Sequence, residues 1–403
     1  MDQLKIGLIR EGKVPPDKRV AFTPAQAEEI EQRFPGTKII CQQSEVRAFK
    51  DSEYREHDIE VTNDMTTCDV LMGIKEVQIR DLIPGKTYLF FSHTLKKQPY
   101  NRKLLQAILE KNITLIDYEA LKDRHGNRLV AFGRYAGIVG AYNGLLTYGK
   151  KFNVFDLRRA FECFDVNDLK RELRKVHLPP IRIILTGAGR VGRGAMETLD
   201  SANIRKVNTY DFLTGKFEEP VYVQLSSAEY HIRKEGGHFN RDEFHKYPGR
   251  YISNFKGFAS AADMLIAGAY WNPTAPCLFT REDMQERDFK IRIIADITCD
   301  INGSIPSTKK ASTIVDPLYD YDPLSDEVKE PLSNPDLVTV MAIDNLPCEL
   351  PRSASEEFGR DLIDKILPPL IGGDKDGVIR RATITRSGKL TQEFAYLRDY
   401  VAS

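Results

Sequence analysis

The sequence predicts an α/β fold with two domains, each built around a mostly parallel sheet. Short apolar strands alternate with polar, helix-compatible segments between residues 4 and 118, and a second alternating block begins at Ile181. Such alternation is typical of parallel strands whose connections are helices lying on the faces of the sheet. The length of 403 residues suits this organisation, since one domain usually takes roughly 150 residues.

The first block consists of short apolar runs separated by polar segments. A helix is predicted to begin at the run Thr23-Pro24-Ala25-Gln26, because threonine caps a helix, proline suits its first position and the glutamine completes a capping box. Another helix is compatible with residues 98–111. The strands are predicted at residues 4–11, 37–41, 69–75, 87–91 and 113–118.

Three further segments lie outside this pattern. Residues 133–151 are rich in glycine and alanine and predict a tightly packed helix that crosses from one domain to the other, serving either a dimer interface or intramolecular packing. The polar stretch 212–262 is long for a connection, so we expect an insertion with small elements of its own or a lid. After Pro351 the pattern predicts a helix, a short hairpin and a terminal helix.

Composition excludes several classes of protein. Lys+Arg and Asp+Glu both number 58, which argues against a broad basic face for nucleic acid or anionic lipid. No apolar run reaches the roughly 18 residues of a membrane span, and the start of the chain has no signal-peptide core. We therefore expect a cytoplasmic protein without nucleic-acid or membrane partners.

The six cysteines form no CxxC pair, and His231, His238 and His245 are too far apart for a helical ligand pair, so no metal site is predicted.

A glycine-rich turn follows the first strand of the second block, IRIILT, and helix-compatible residues come after it. Its G-x-G-x-x-G pattern permits a tight turn, a close approach of pyrophosphate to the backbone, and close packing of helix against strand. Free amides and the helix dipole then face the phosphates. The sequence therefore predicts a Rossmann-like dinucleotide site at Gly187, Gly189, Arg190, Val191 and Gly192.

The type of dinucleotide depends on the end of the next strand. That strand is predicted over residues 206–210 and is followed by Asp211, about 20 residues after the glycines. A carboxylate there would accept hydrogen bonds from the ribose hydroxyls and repel a 2′-phosphate, which favours NAD over NADP. Arg190, Arg193 and Arg205 are close enough in sequence to pair with a phosphate, so both coenzymes stay open.

Polar side chains at the ends of predicted strands are the candidates for chemistry. Lys75 and His93 follow apolar strands of the first block, and together they could act as a general acid/base pair on an amine or imine. Arg19 and Arg128 border apolar segments, and guanidinium groups match carboxylates. The alternatives are that Lys75 is only a solvated strand end, that His93 is a turn residue, and that the two arginines form surface salt bridges. Glu119 and Asp344 also end predicted strands. Their alternative role is that of a helix cap or a turn carboxylate.

Several motifs together resemble a known family. KRVAFTP, GIKE, FFSHT, LIDYE, RLVAFGRYAGIVGA, GAGRVGRGA and AIDNLPCELPRSAS occur in this order and are similar to motifs of the lysine-forming saccharopine dehydrogenases. YISNF, LIAGAYWNPTAP, ADITCDINGSI and ITRSGKL more closely resemble the lysine–2-oxoglutarate reductase domain of aminoadipic semialdehyde synthase. A more distant similarity reaches alanine dehydrogenase and the α part of nicotinamide nucleotide transhydrogenase.

The resemblance implies a fold of two Rossmann-like domains, with parallel sheets flanking a deep cleft. It divides the chain into a discontinuous substrate domain, residues 1–135 plus 346–403, and a dinucleotide-binding domain, residues 136–345 with the 212–262 insertion. Small-molecule amino-acid and keto-acid substrates are the expected partners, and the chain is expected to be a monomer or a homodimer.

The resemblance also implies roles for individual residues. Lys75 and His93 match the acid/base pair of the family, and Arg19 and Arg128 match the arginines that hold substrate carboxylates. Lys96 and Glu119 match positions that contact or tune the substrate. Asp344 matches a position beside the nicotinamide end of the coenzyme. The NAD-dependent members have a Trp-Asp pair where this chain has Tyr210-Asp211, and the reductase domain of the bifunctional protein uses NADPH.

The expected activity is that of an NAD(P)-dependent oxidoreductase acting on CH–NH bonds, which interconverts saccharopine with L-lysine plus 2-oxoglutarate in lysine metabolism. Two alternatives remain open. One is an alanine-dehydrogenase-like enzyme that uses ammonia and a small keto acid. The other is a non-catalytic nucleotide-binding module like the transhydrogenase α part.

Overall fold

The computed structural model describes residues 3–402, which form two compact units. The first unit contains the chain up to Phe132 together with the segment from Pro351 onward, and the second unit is Gly133–Leu350. The borders expected from the sequence, 135/136 and 345/346, lie close to these. Residues 1, 2 and 403, which the expected substrate domain includes, lie outside the described residues. What each unit binds, and the cleft, stay predictions.

The strands are numbered in chain order. They are β1 (Leu4–Leu8), β2 (Thr37–Gln42), β3 (Glu60–Thr62), β4 (Val70–Met72), β5 (Thr87–Phe90), β6 (Thr114–Asp117), β7 (Arg182–Thr186), β8 (Arg205–Lys206), β9 (Val221–Leu225), β10 (His231–Arg233), β11 (Tyr251–Ser253), β12 (Met264–Ala267), β13 (Ile293–Asp296), β14 (Leu318–Asp322), β15 (Glu327–Lys329), β16 (Val338–Met341), β17 (Thr383–Arg386) and β18 (Lys389–Leu390).

The helices are numbered in the same way, and a π-helical turn at Leu362–Ile366 separates α12 from α13. They are α1 (Pro24–Arg33), α2 (Asp51–Glu56), α3 (Arg102–Glu110), α4 (Gly133–Phe152), α5 (Val166–Glu172), α6 (Arg190–Ser201), α7 (Thr209–Thr214), α8 (Ser227–Tyr230), α9 (Arg241–Lys246), α10 (Lys256–Ala261), α11 (Arg281–Gln285), α12 (Pro351–Asp361), α13 (Leu367–Gly372), α14 (Val378–Ala382) and α15 (Arg398–Ala402).

The sheet of the first unit has the order β18-β17-β6-β5-β4-β1-β2-β3. Its strands from β6 to β3 pair in parallel, as predicted, whereas β17 pairs antiparallel with β6 and β18 antiparallel with β17. The C-terminal segment thus completes this sheet with the hairpin predicted after Pro351, which gives the mostly parallel sheet an antiparallel edge. The capping box at Thr23 and Gln26 is confirmed at the start of α1.

The sheet of the second unit has the order β15-β14-β16-β13-β12-β7-β9-β8. The strands from β16 to β8 pair in parallel, and β14 and β15 add an antiparallel edge. No helix within residues 3–402 combines the length and the hydropathy needed to span a membrane. The α/β class predicted from the sequence is confirmed for both units.

The strand next to β7 differs from the predicted one. The run predicted as a strand over 206–210 is a two-residue edge strand followed by helix α7, because the Asn208 side chain caps the helix by accepting from the Asp211 amide. The strand that pairs with β7 is instead β9, whose sequence VYVQL lies inside the segment predicted as an insertion. The insertion is therefore smaller than expected, and it contains the two-stranded β10–β11 sheet.

Helix α4 packs against α6 and the sheet of its own unit. The prediction that this helix crosses between domains is wrong, since it begins at Gly133, the first residue of the second unit. Most of its apolar and glycine positions are buried. A Cβ at Gly137 would overlap the Val191 carbonyl, and one at Gly194 would overlap the Arg134 carbonyl. The two helices therefore approach with backbone against backbone, which accounts for the glycines.

This packing predicts that Gly137→Ala and Gly194→Ala each lower the free energy of unfolding by about 2 kcal/mol, the usual cost of overpacking. The measurement is urea denaturation followed by circular dichroism. Gly257→Ala in α10 is the control, because nothing lies within 4 Å of a Cβ there and alanine favours a helix. Equal stability of all three variants would contradict the close approach of α4 and α6.

Candidate active site

Parallel pairing brings several predicted residues to one edge of the first sheet. Lys75 follows β4 and His93 follows β5, and these strands are parallel neighbours. Glu11 follows β1, the parallel neighbour of β4, and Glu119 follows β6, the parallel neighbour of β5. Because the carboxyl ends of parallel strands lie at the same edge, these side chains form one row.

His93 forms a short hydrogen bond with Glu76, with 2.6 Å between Nδ1 and Oε1. Burial alone would raise the pKa of Glu76, but the hydrogen bond and the charge of His93 outweigh it and lower that pKa to about 2. The carboxylate is therefore ionised and accepts the Nδ1 proton, which leaves Nε2 to exchange a proton. His93 has a backbone φ of 50°, and a left-handed conformation outside glycine is typical of a constrained, functional position.

Lys75 lies in a desolvated environment beside other cations. Burial, followed by the charges of Arg19 and Lys13, lowers its pKa below the ordinary value. The carboxyl group of Glu11 accepts the backbone amides of Ile74 and Lys75 at 2.6 and 2.9 Å. Two backbone hydrogen bonds to one side chain fix the segment that carries the lysine. Lys75 is thus held in place and has an increased tendency to lose its proton.

Glu11 carries an unusual charge state. Desolvation and the neighbouring Asp17 raise its pKa to about 8, against the opposing effect of the two backbone amides and Arg19. The group is therefore largely neutral at pH 7. A cavity of about 140 Å³ adjoins it, lined by Glu11, Lys75, Glu76 and further polar residues including Gln78.

The two arginines have carboxylate partners within the first unit. Arg19 is buried and forms a forked pair with Asp17, with 2.6 Å between Nη2 and Oδ2 and 3.0 Å between Nε and Oδ1. Its guanidinium also lies 4.1 Å from the centre of the Phe132 ring. Arg128 lies 3.9 Å from Glu119. The structure therefore pairs Arg19 with Asp17 and brings Arg128 to Glu119, while the charge of Arg19 also acts on Lys75.

Lys96 differs from the other candidates. It is exposed in the loop after β5, and within residues 3–402 no carboxylate lies close enough to form an ion pair with it. Its role in contacting substrate stays a prediction.

Sequence reasoning missed Glu11, Asp17 and Glu76. A signal for each was present: Glu11 ends the apolar run KIGLIRE, Asp17 precedes Arg19 by two residues, and Glu76 directly follows Lys75. Each acid stands beside a candidate cation or at the same kind of strand end. Their importance depends on contacts between distant segments, which the local pattern does not contain.

The glycine turn of the second unit has the geometry of a phosphate site. Gly187 has a φ of 101° and packs against Gly268, and a Cβ at Gly192 would overlap the Gly187 carbonyl. At Gly189 nothing lies within 4 Å of a Cβ, and this residue directly precedes the 12-residue helix α6 with Arg190 and Val191 in its first turn. An open backbone at a helix N-terminus fits a pyrophosphate.

Asp344 lies at the same edge of the second sheet as the glycine turn. It follows β16, which is linked to β7 through the parallel strands β13 and β12. The side chain of Asp344 is exposed. Its predicted place beside the nicotinamide end of the coenzyme stays a prediction.

Asp211 lies at the opposite end of that sheet, so the ribose contact expected of it is wrong. Arg182, the first residue of β7, donates to the Phe212 and Gly215 carbonyls at 2.9 and 2.6 Å, which places the end of α7 at the amino ends of the strands. The glycine turn follows the carboxyl end of β7. The Asp211 carboxylate instead accepts from the Asn208 side chain at 2.7 Å.

The carboxyl end of β9 takes the place that the sequence assigned to Asp211. The Gln224 amide donates to the Gly187 carbonyl at 3.2 Å, and Ser226 follows the strand. Glu229 accepts from both the backbone amide and the hydroxyl of Ser226. The Lys206 ammonium lies 3.4 Å from Gln224. The end of the strand beside the glycine turn thus presents a hydroxyl and a cation.

The state of Glu11 predicts a pH dependence of stability. Its pKa is raised from 4.5 to about 8 in the folded chain. The stabilisation that Glu11 contributes to the fold is therefore fully present below pH 4.5 and is lost as the pH rises through about 8. The side chain in Glu11→Gln cannot ionise, so the variant does not lose stability in this way. Wild-type unfolding free energy, measured by urea denaturation, should therefore fall across this interval relative to the variant. Parallel curves for the two proteins would contradict the assignment, and Glu60→Gln, on the exposed edge strand β3, serves as the control.

The chain is similar to known proteins over most of its length. Residues 7–139 match the family model described as the N-terminal domain of alanine dehydrogenase/PNT. The mitochondrial α-aminoadipic semialdehyde synthase of Rattus norvegicus is 31% identical over 413 residues, covering 90% of this chain and 44% of that protein. The saccharopine dehydrogenase [NAD(+), L-lysine-forming] of Neurospora crassa is 26% identical over 370 residues, covering 87% of both chains. The chain thus spans under half the length of the synthases it matches.

Solved structures show the same fold. An L-alanine dehydrogenase superimposes with a TM-score of 0.68 at 15% identity, covering 99% of both chains. A transhydrogenase from Sinorhizobium meliloti superimposes with a TM-score of 0.59 at 13% identity, covering 96% of this chain and 98% of that chain. Residues 7–139 thus match the alanine dehydrogenase/PNT N-terminal domain model, and over most of its length the chain is similar in sequence to α-aminoadipic semialdehyde synthases and saccharopine dehydrogenases, as its motifs predicted.

Proposed function

We propose that this chain is a nicotinamide-dependent oxidoreductase that interconverts saccharopine with L-lysine plus 2-oxoglutarate. The observation that carries the proposal is the row of proton-transfer groups at one sheet edge, in which an ionised Glu76 holds His93 beside a desolvated Lys75. The printed names of the relatives, saccharopine dehydrogenase and α-aminoadipic semialdehyde synthase, support this reaction among those that such groups could catalyse.

The glycine turn is suited to hold the coenzyme of this reaction. Gly187 and Gly192 let the turn pack closely, Gly189 leaves the backbone open for a pyrophosphate, and the amides at the start of α6 would face it. Asp344, at the same sheet edge, is the candidate for the nicotinamide end. When bound in its reduced form, the nicotinamide supplies the hydride that the substrate carbon accepts.

Lys75 and His93 would manage the protons of the condensation step. As the lysine nitrogen attacks the keto carbon, Nε2 of His93 takes a proton from that nitrogen, and the Lys75 ammonium gives one to the keto oxygen. The product is a carbinolamine. His93 then returns its proton to the leaving hydroxyl, which departs as water and leaves an iminium ion. Two groups of different acidity at one edge suit this exchange.

The arginines would fix the orientation of the substrates. Both 2-oxoglutarate and lysine carry carboxylates, and a guanidinium group binds a carboxylate through two parallel hydrogen bonds. Arg128, beside Glu119, is the candidate for such a pair. Arg19, whose Nε and Nη2 already bind Asp17, would bind a substrate carboxylate in this way by exchanging that partner. Holding the carboxylates would keep the reacting carbon in one position, which lowers the entropic cost of reaction.

We further propose that the coenzyme is NADP(H). The preference for NAD depends on Asp211, which lies at the far end of the sheet. At the near end, β9 is followed by Ser226, and the cations Lys206 and Arg193 line one shallow groove beside β9. A hydroxyl with two cations suits a 2′-phosphate. The acids nearby have partners of their own: Glu229 accepts from Ser226, and of the two acids that also line the groove, Glu197 pairs with Arg134 and Lys170 and Asp200 accepts from Tyr222.

One alternative reaction has specific support. The match of residues 7–139 to the alanine dehydrogenase/PNT domain is compatible with an enzyme that condenses ammonia with a small keto acid. The groups at the sheet edge could serve that chemistry equally well. Oxidation of reduced coenzyme with ammonia plus pyruvate, but not with lysine plus 2-oxoglutarate, would favour this alternative.

The acid/base assignment predicts that Lys75→Met and His93→Gln lower kcat by about 10²–10⁴-fold, with coenzyme affinity nearly unchanged. The measurement is the absorbance of reduced coenzyme with lysine and 2-oxoglutarate. His57→Gln is a matched control, because His57 forms a similar 2.5 Å pair with Glu28 in the same unit. Wild-type rates in both active-site variants would refute their catalytic role.

The coenzyme proposal predicts that Lys206→Met weakens NADPH binding about tenfold, which is ~1.4 kcal/mol, and leaves NADH binding nearly unchanged. Ser226→Asp should reverse the preference, because a carboxylate repels the 2′-phosphate and accepts from the ribose hydroxyls. Binding is measured by fluorescence titration of the reduced coenzymes. Asp211→Asn should alter neither affinity, and a loss of NADH binding in that variant would restore the original assignment.

A further inference from the structure

Asn101 connects two parts of the candidate active site. It lies directly before α3, and its side chain is buried, with 6% of the residue exposed. The Nδ2 amide donates to the Ser92 carbonyl at 3.0 Å and to Glu76 Oε1 at 3.3 Å. This oxygen is the one that accepts the His93 proton. One amide group therefore contacts both the backbone before His93 and the carboxylate that binds its ring.

The backbone near His93 needs such support because its conformation is uncommon. His93 has a φ of 50°, and no regular strand or helix continues from β5 through residues 91–98. The preceding residue, Ser92, is fixed by Asp117, which accepts both its amide and its hydroxyl. Asn101 binds the remaining polar group of Ser92, the carbonyl. The peptide between Ser92 and His93 is thus held from two sides.

We propose that Asn101 is a positioning residue, which orients the Glu76 carboxylate so that Oε1 faces His93 Nδ1. The proposal rests on the proposed function of Lys75 and His93. Because both His93 Nδ1 and Asn101 Nδ2 donate to Oε1, the Glu76 carboxylate stays in one orientation and the imidazole proton stays on Nδ1. Nε2 then remains the nitrogen that exchanges protons with the substrate. Asn101 acts through Glu76 and is not itself a proton donor to the substrate.

The test is a double-mutant cycle on kcat. Asn101→Ala should lower kcat about tenfold through misplacement of the ring and leave KM for lysine and 2-oxoglutarate nearly unchanged. In a Glu76→Gln background the same change should lower kcat by less than about twofold, because the group through which it acts is already altered. Asn63→Ala, an exposed asparagine of the same unit that donates to Gln43, is the control. A full further loss of about tenfold in the Glu76→Gln background would overturn the proposal.

A spectroscopic measurement makes the test independent of turnover. The proton between His93 Nδ1 and Glu76 should give a downfield NMR resonance, assigned by its absence in His93→Gln. In Asn101→Ala this resonance should shift or broaden, and in Asn63→Ala it should persist. If Asn101→Ala fails to fold, Asn101→Ser takes its place, since serine is also too short to bridge Ser92 and Glu76. An unchanged resonance in the folded variant would overturn the proposal.

The two proposals fail in different ways. If the wild-type chain does not oxidise reduced coenzyme with lysine and 2-oxoglutarate, the proposed function fails, whatever the resonance of His93 does. If the wild type is active and Asn101→Ala keeps full kcat and an unchanged resonance, only the role of Asn101 fails.

Discussion

Parallel strand pairing determines where chemistry is possible in this protein. In each unit the central strands run in one direction, so residues that follow strands far apart in sequence meet at one edge. In the first unit this constraint brings together Glu11, Lys75 and His93. In the second unit it places the glycine turn and Asp344 along one edge. The pKa values of the groups at such an edge depend in addition on neighbouring side chains, as the pKa of Glu11 depends on Asp17 and the pKa of Glu76 on His93.

The acids of the first unit show how environment separates groups of the same chemistry. Glu76 has a pKa of about 2, because His93 outweighs the effect of burial. Glu11 has a pKa of about 8, because burial and Asp17 outweigh the two backbone amides that it accepts. One acid is therefore a fixed anion that anchors an imidazole, and the other is a largely neutral group that anchors a backbone segment. Such separation of acidities within one site is typical of proton-transfer enzymes.

The second unit depends on close backbone packing around the glycine turn. Gly137 and Gly194 let α4 and α6 approach closely, and Gly187, Gly192 and Gly268 let the turn fold on itself. These contacts fix the start of α6 relative to the sheet. Because phosphate binding needs free amides at a fixed helix terminus, glycines distant from the turn in sequence contribute to the geometry of the same site.

The sequence alone determined the features that depend on neighbouring residues: the capping box of α1, most strands of the first block, the G-x-G-x-x-G turn, and the placement of Lys75 and His93 after strands. Local hydrogen bonding and the period of apolar residues are sufficient for these. Tertiary structure decided which strand lies beside β7, and so the position that we propose to discriminate between the coenzymes is Ser226 and not Asp211. It also selected Glu11, Glu76 and Asn101 as partners of the candidate pair. These assignments depend on pairing between distant segments, and a linear pattern of residues does not specify which segments pair.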